Sequence, residues 1–134
     1  MKLTIPVNWE DDYFEKIDFS QTEEIYGKLN VGLIGGGRPS LTLPGVKKGK
    51  VKEFVEEAHK RNLKFNYLLN GTCFDNLEIT KTGYRDIRKT LDWLAGINVD
   101  GISVSLPMVM EIIKKNYPQF SISASVQVRI DGFE

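Results

Sequence analysis

The sequence predicts an α/β fold, a partial (β/α)8 barrel of the TIM type with parallel strands and about half a barrel present. Three observations predict it. Strand-like and helix-like segments alternate along the chain, the pattern of parallel strands joined by right-handed crossovers. The strand-like segments carry apolar residues at every second position and hydroxyl or amide residues between them. The chain has 134 residues, whereas a full barrel takes roughly 250. A doubly wound open sheet is the alternative closed solution.

The elements follow in order. Leu3 to Val7 is a short apolar run, read as a strand. Asp11 to Ile17 carries Tyr13, Phe14 and Ile17 at helical spacing. Ile25 to Ile34 reads as a second strand, weakened by Gly27 and Gly32. Gly35-Gly36-Gly37-Arg38-Pro39-Ser40 is a loop, and Pro44-Gly45 marks a turn. Val51, Phe54, Val55 and Ala58 then fall at i, i+3, i+4 and i+7, an amphipathic helix. Leu63 to Leu69 is a strand, and Asn70 to Thr82 a polar loop. Tyr84, Ile87, Leu91 and Leu94 mark the next helix. Gly101 to Leu106 is a strand, and Pro107 opens a helix where its missing N–H costs little. Met108, Ile112 and Ile113 give that helix its apolar side, and Pro118 stops it. Phe120 to Ile130 is the last strand. Residues 1–134 are expected to form a single domain, the N-terminal half of a barrel.

Composition narrows the function classes. Eighteen basic residues balance eighteen acidic ones, so no net field calls for nucleic acid or an anionic membrane as an obligatory partner. One cysteine, Cys73, cannot form an intrachain disulfide, which suits a reducing, cytoplasmic location. Neither a signal peptide nor a membrane span is expected, because no window approaches about 20 apolar residues.

The polar faces of the strands point to a ligand. In the last strand, Phe120, Ile122, Ala124, Val126, Val128 and Ile130 oppose Ser121, Ser123, Ser125, Gln127 and Arg129. Ile102, Val104 and Leu106 oppose Ser103 and Ser105, and Lys64 and Asn66 oppose Leu63, Phe65, Tyr67 and Leu69. Parallel strands covered on both faces normally read as unbroken apolar runs. Here the apolar set can face helices while the polar set lines a lumen that holds a polar small molecule, a peptide or part of an RNA. The plainer alternative is a strand face left to solvent or to another subunit.

In a barrel, functional groups gather where strands end. That edge carries Asn8 and Trp9, then Arg38, then Asn70 and Cys73, then Ser125, Gln127 and Arg129. We therefore take Asn8, Arg38, Asn70, Ser125, Gln127 and Arg129 as the candidate ligand-binding set. The Gly35-Gly36-Gly37-Arg38 loop can bring backbone N–H groups to an anion with Arg38 as counter-charge, or be a plain turn. Asp75 and Glu78, in the loop after a strand, are the weak catalytic candidates as acid or base; solvated loop carboxylates are the ordinary alternative. His59 and Cys73 cannot act together. They flank a strand about 20 Å long at roughly 3.3 Å per residue, so they lie at opposite ends of it. His59 is expected to be structural, and so is Asp100, which precedes a strand. One cysteine and one histidine cannot build a zinc or iron–sulfur site within the chain.

At several of these residues the sequence resembles peptidase family U-32, the collagenase-like proteins. Val55-Glu56-Glu57-Ala58-His59-Lys60-Arg61 with Lys64-Phe65-Asn66-Tyr67-Leu68-Leu69-Asn70 resembles its helix ending in Ala-His and strand ending in Leu-Asn. Val99-Asp100-Gly101-Ile102-Ser103-Val104 resembles its Val-Asp-Ala-Ile strand start. Ser123-Ala124-Ser125-Val126-Gln127-Val128-Arg129-Ile130 resembles its His-Ala-Ser-Thr-Gln-Met-Asn-Ile strand, with Ser123 in place of the histidine and Arg129 in place of the asparagine. Val7-Asn8-Trp9 and the Gly35 to Ser40 loop resemble a subgroup. The resemblance implies a barrel and a peptidase (hydrolase) assignment. It also implies that an iron–sulfur cluster, used by some relatives in hydroxylation of RNA or ubiquinone, would belong only to a longer protein, with no cofactor within this chain. Exposed sheet edges imply a homo-oligomer or a missing C-terminal half as partner.

Overall fold

Five parallel strands lie in one sheet in the order in which the chain makes them, β1-β2-β3-β4-β5. The computed structural model describes residues 1–29, 45–126 and 128. The strands are β1 Leu3–Pro6, β2 Thr22–Gly27, β3 Lys64–Leu69, β4 Gly101–Val104 and β5 Ser121–Ala124. The helices are α1 Tyr13–Lys16, α2 Lys48–Lys60, α3 Lys81–Gly96 and α4 Pro107–Asn116, with a 3-10 turn at Leu77–Ile79 before α3. A doubly wound sheet reverses its strand order at a switch point. This sheet has none, so every crossover returns to the same face. Among the described residues the sheet is unclosed, which makes it an arc of a barrel.

The apolar sides of the helices and one face of the sheet make a single core. Val51, Phe54, Val55 and Ala58 of α2, Ile87, Leu91 and Leu94 of α3, and Val109, Ile112 and Ile113 of α4 are buried against Ile25, Phe65, Tyr67, Leu69, Ile102 and Val104. The periodicity of α2 is therefore its contact stripe. Two corrections concern helix phase. Tyr84 is 40% exposed, and Gly83 takes the buried place at the start of α3. Met108 is 39% exposed, and Val109 is buried in its stead.

Two of the helix-to-strand joints use one device. α2 and α3 are each followed by an asparagine in the left-handed region, Asn62 (φ 57°) and Asn98 (φ 61°). Among non-glycine residues, asparagine tolerates that conformation best. The next residue turns back on the helix: Leu63 N–H donates to Ala58 O at 2.9 Å, and Val99 N–H to Leu94 O at 3.2 Å. Leu63 and Val99 are buried at these joints. Thr80 caps α3, its hydroxyl accepting from Gly83 N–H at 3.0 Å. Pro107 opens α4.

Several element bounds differ from the sequence reading: β1 stops at Pro6 rather than Val7, β3 starts at Lys64 rather than Leu63, and β4 stops at Val104 rather than Leu106. β2 begins at Thr22 and ends at Gly27, not at Ile25 and Ile34, and residues 30–34 of that reading, with the Gly35 to Ser40 loop, lie outside the described residues. β5 ends at Ala124 rather than Ile130; Ser125 N–H still donates to Val104 O at 2.9 Å, and Val126 is fully exposed. The first helix is one turn, Tyr13–Lys16. Among the described residues no helix is long and apolar enough to cross a membrane.

Candidate functional site on the concave face

The strand register assigns the face opposite the helices. Tyr26, Asn66, Gly101 and Ser121 are paired across the sheet, as are Leu68, Ser103 and Ser123 one layer higher. Paired residues of parallel strands point the same way, so the hydroxyls and amide fall on the side away from the core. Asn66 is 2% exposed, and its Oδ1 accepts from Ser103 Oγ–H at 2.9 Å. Its side chain also hydrogen bonds to Glu24. Ser105 is buried, and its hydroxyl donates to Asn70 O at 2.9 Å, tying the end of β3 to the end of β4. Gly101 makes room for this cluster, since a Cβ there would lie 2.5 Å from Ser121 Oγ and 3.1 Å from Asn66 Nδ2. Leu68 is buried on the same face and stands outside the main core.

Glu24 gives this face its titratable group. Burial pushes its carboxyl above the usual carboxylate range, and Asp100 and Glu23 push the same way; the bond from Asn66 and the nearby Lys64 pull it back. One layer above Tyr26, directly after β2, comes Lys28, 4% exposed. A lysine that deep is rare and belongs to an interaction network. The sequence reading missed it. The signal was the period-2 run Glu24, Tyr26, Lys28, hidden by starting the strand at Ile25.

The candidate residues spread along the C-terminal edge. Asn8 is exposed and spends its side chain locally: Oδ1 accepts from Glu10 N–H at 3.0 Å, and Nδ2–H donates to Glu10 Oε2 at 2.9 Å. Asn70 and Ser125 are half-buried at the ends of β3 and β5. Arg38, Gln127 and Arg129 lie outside the described residues. Asp75 is exposed, in the left-handed region at φ 52°, and accepts a contact from Cys73 Sγ at 3.5 Å. Glu78 is half-buried in the 3-10 turn, and its Oε2 is enclosed with no hydrogen-bond partner. The structure thus brings Asn66, Ser103 and Glu24 together and keeps Asp75 apart from them in the loop.

His59 sits at the opposite edge. Its Nε2 lies 2.8 Å from Asp100 Oδ2, and the same oxygen accepts from Phe65 N–H at 2.8 Å. The pair ties the end of α2 to the starts of β3 and β4, the structural role expected of both.

Comparison with known proteins agrees with this architecture. A family model described as Peptidase family U32 matches residues 42–134. An uncharacterized protease of Methanocaldococcus jannaschii, MJ1657, is 27% identical over 90 residues, covering 67% of this chain and 26% of that protein. The solved structure of the U32 peptidase Mk0906 superposes with a TM-score of 0.74 at 21% identity, covering 98% of this chain and 51% of that one. The chain therefore spans about half of the solved relative and about a quarter of the curated one.

Proposed function

The chain belongs to peptidase family U32, and from that premise we propose that it supplies the substrate-holding half of a barrel that hydrolyses peptides. The observation that carries this reading is the polar concave face. Asn66 and Ser103 satisfy each other at the bottom of the arc, so the cluster stays ordered without a ligand. The serines above it, Ser123 exposed and Ser125 half-buried, have hydroxyls suited to a peptide's amides. Buried Lys28 adds an amine nitrogen at the same level.

Glu78, half-buried in the 3-10 turn, is the base on this reading, and Asp75, exposed and in contact with Cys73, is not. A water molecule giving its proton to Glu78 would attack the peptide carbonyl, and the proton would pass on to the departing amine. The test is hydrolysis of gelatin and casein by the purified chain and by E78A and D75A. Loss in E78A with retention in D75A is the expected pattern. Activity that survives both changes overturns the assignment, and no hydrolysis by the parent chain overturns the peptidase reading for this chain.

The open arc leads to a second part of the proposal. Among the described residues β1 and β5 each pair on one side only, and unpaired edges seek partners. The chain completes its barrel with further strands, either of a second copy or of another segment. Light scattering at high concentration is expected to give a species larger than the monomer; a sharp monomer counts against pairing with a second copy. The single exposed cysteine supports a cytoplasmic setting.

A further inference from the structure

The helical layer leaves an apolar strip uncovered on its outer side. Tyr84 extends the Ile87, Leu91 and Leu94 stripe of α3, and Met108 extends the Ile112 side of α4, yet both stay exposed. They border one groove of about 410 Å³ between the two helices, with the buried Ile112 at its base. The Tyr84 wall is anchored. Its hydroxyl accepts from Arg88 Nη1–H at 3.3 Å, and Arg88 Nε–H donates to Tyr117 Oη at 2.9 Å. Tyr117 in turn donates to Asp92 Oδ1. A wall fixed in advance loses little freedom when a partner arrives. Tyrosine and methionine are also side chains in which protein interfaces are enriched.

Charge decides what fits the groove. α3 and α4 together carry six basic and three acidic side chains, in a chain that has eighteen of each. Lys81 and Arg88 share the Tyr84 side of α3, three residues before it and four after. Lys115 shares the Met108 and Ile112 side of α4 and borders the groove. Among the described residues none of these three cations forms an ion pair. Glu111 borders the groove as well, but Lys114 lies 3.9 Å from it, so Lys115 is left in excess. Completion of the barrel does not cover this surface. α3 joins β3 to β4 and α4 joins β4 to β5, so units added beside β1 or β5 come in away from the groove between them.

We propose that the groove between α3 and α4 docks an acidic amphipathic helix of a partner protein, with apolar side chains set between Tyr84 and Met108 and carboxylates beside Lys81, Arg88 and Lys115. Two neighbouring helices offer a third a trough to lie in, and recognition of this kind uses apolar anchors at i, i+3, i+4 and i+7. The unpaired cations select an acidic partner over a basic one. They also disfavour a second copy, because a two-fold interface through this surface would set the same cations against themselves. The surface lies outside the barrel and stands independently of which bond, if any, the barrel cleaves.

The test is fluorescence anisotropy of the full chain with a labelled synthetic peptide of about 14 residues, roughly four helical turns. The peptide carries leucine and phenylalanine at i, i+3, i+4 and i+7 and glutamate elsewhere. Saturable binding is expected, weakening as salt rises. The same peptide with lysine in place of glutamate should bind at least about tenfold more weakly. M108E and K115E, both surface changes whose folding circular dichroism checks, should each weaken binding of the acidic peptide about tenfold. K52A, whose lysine pairs with Glu56 on α2, should leave it unchanged. Absence of saturable binding at about 1 mM peptide, equal binding of the lysine peptide, or indifference to both M108E and K115E would overturn the proposal. A dimer of the chain alone that M108E dissociates would also overturn it, by assigning the groove to a second copy.

Discussion

Asp100 Oδ2 receives two bonds at once, from His59 Nε2–H and from Phe65 N–H, each at 2.8 Å. One carboxylate oxygen thereby couples a helix end, a strand start and the turn into β4. Replacing Asp100 by alanine removes the acceptor of a part-buried backbone amide, a loss of about 1–3 kcal/mol. H59A should cost less, about 0–1 kcal/mol, because that pair is about one-third exposed. Urea midpoints check both. Because the pair lies at the N-terminal edge, any hydrolytic activity should be unchanged in variants that remain folded.

Asn66 and Ser103 form the second coupled pair. N66A leaves the Ser103 hydroxyl without its acceptor and opens a void, and should cost about 1–3 kcal/mol; S103A should cost about 1 kcal/mol. The double variant should lose less than the sum, with a coupling of about 0.5 kcal/mol or more. Strict additivity in denaturation would mean that the two side chains do not share a bond.

Glu24 makes stability depend on pH in an uncommon direction. Burial holds its proton to higher pH in the folded chain than in the unfolded one. The folded state therefore binds more protons through this group, and stability falls as pH rises from the unfolded value, about 4.3, through the higher folded value. E24Q keeps an amide partner for Asn66 and removes the charge. It should raise the melting temperature at pH 7, with the advantage vanishing below about pH 4. An E24Q advantage that grows on acidification would contradict the assignment.

Gly83 sets helix propensity against packing. Alanine should favour α3 over glycine by about 1 kcal/mol, but a Cβ at position 83 would lie 1.8 Å from Leu77 O. The clash with backbone should win, so G83A is expected to lower stability by about 1–3 kcal/mol. It should also shift the turn that carries Glu78, visible as altered amide signals for Leu77 to Thr80.

The alternation of elements and the polar strand face were legible from periodicity alone, because register in a half-buried sheet leaves its mark at every second residue. Ser103, Ser105 and Asn66 were read onto the correct face for that reason. Helix phase was harder. Glycine is silent in a hydrophobic pattern, so Gly83 went unseen and Tyr84, also at i+3 spacing from Ile87, stood in its place. Met108 and Val109 both fit the stripe of Ile112 and Ile113, and packing on the sheet decides between them. Lys28 was missed because a buried lysine looks like any surface lysine in a linear sequence. Leu68, apolar within a polar row, likewise needs the register to be placed.

A sheet whose spatial order repeats its chain order has a consequence for how the protein comes to be made. Each new strand docks beside the one synthesised just before it, so no segment must wait for a distant partner or be threaded between others. Contacts between neighbours keep loop-closure costs small, and a chain emerging from the ribosome can add one strand-and-helix unit at a time to a growing edge.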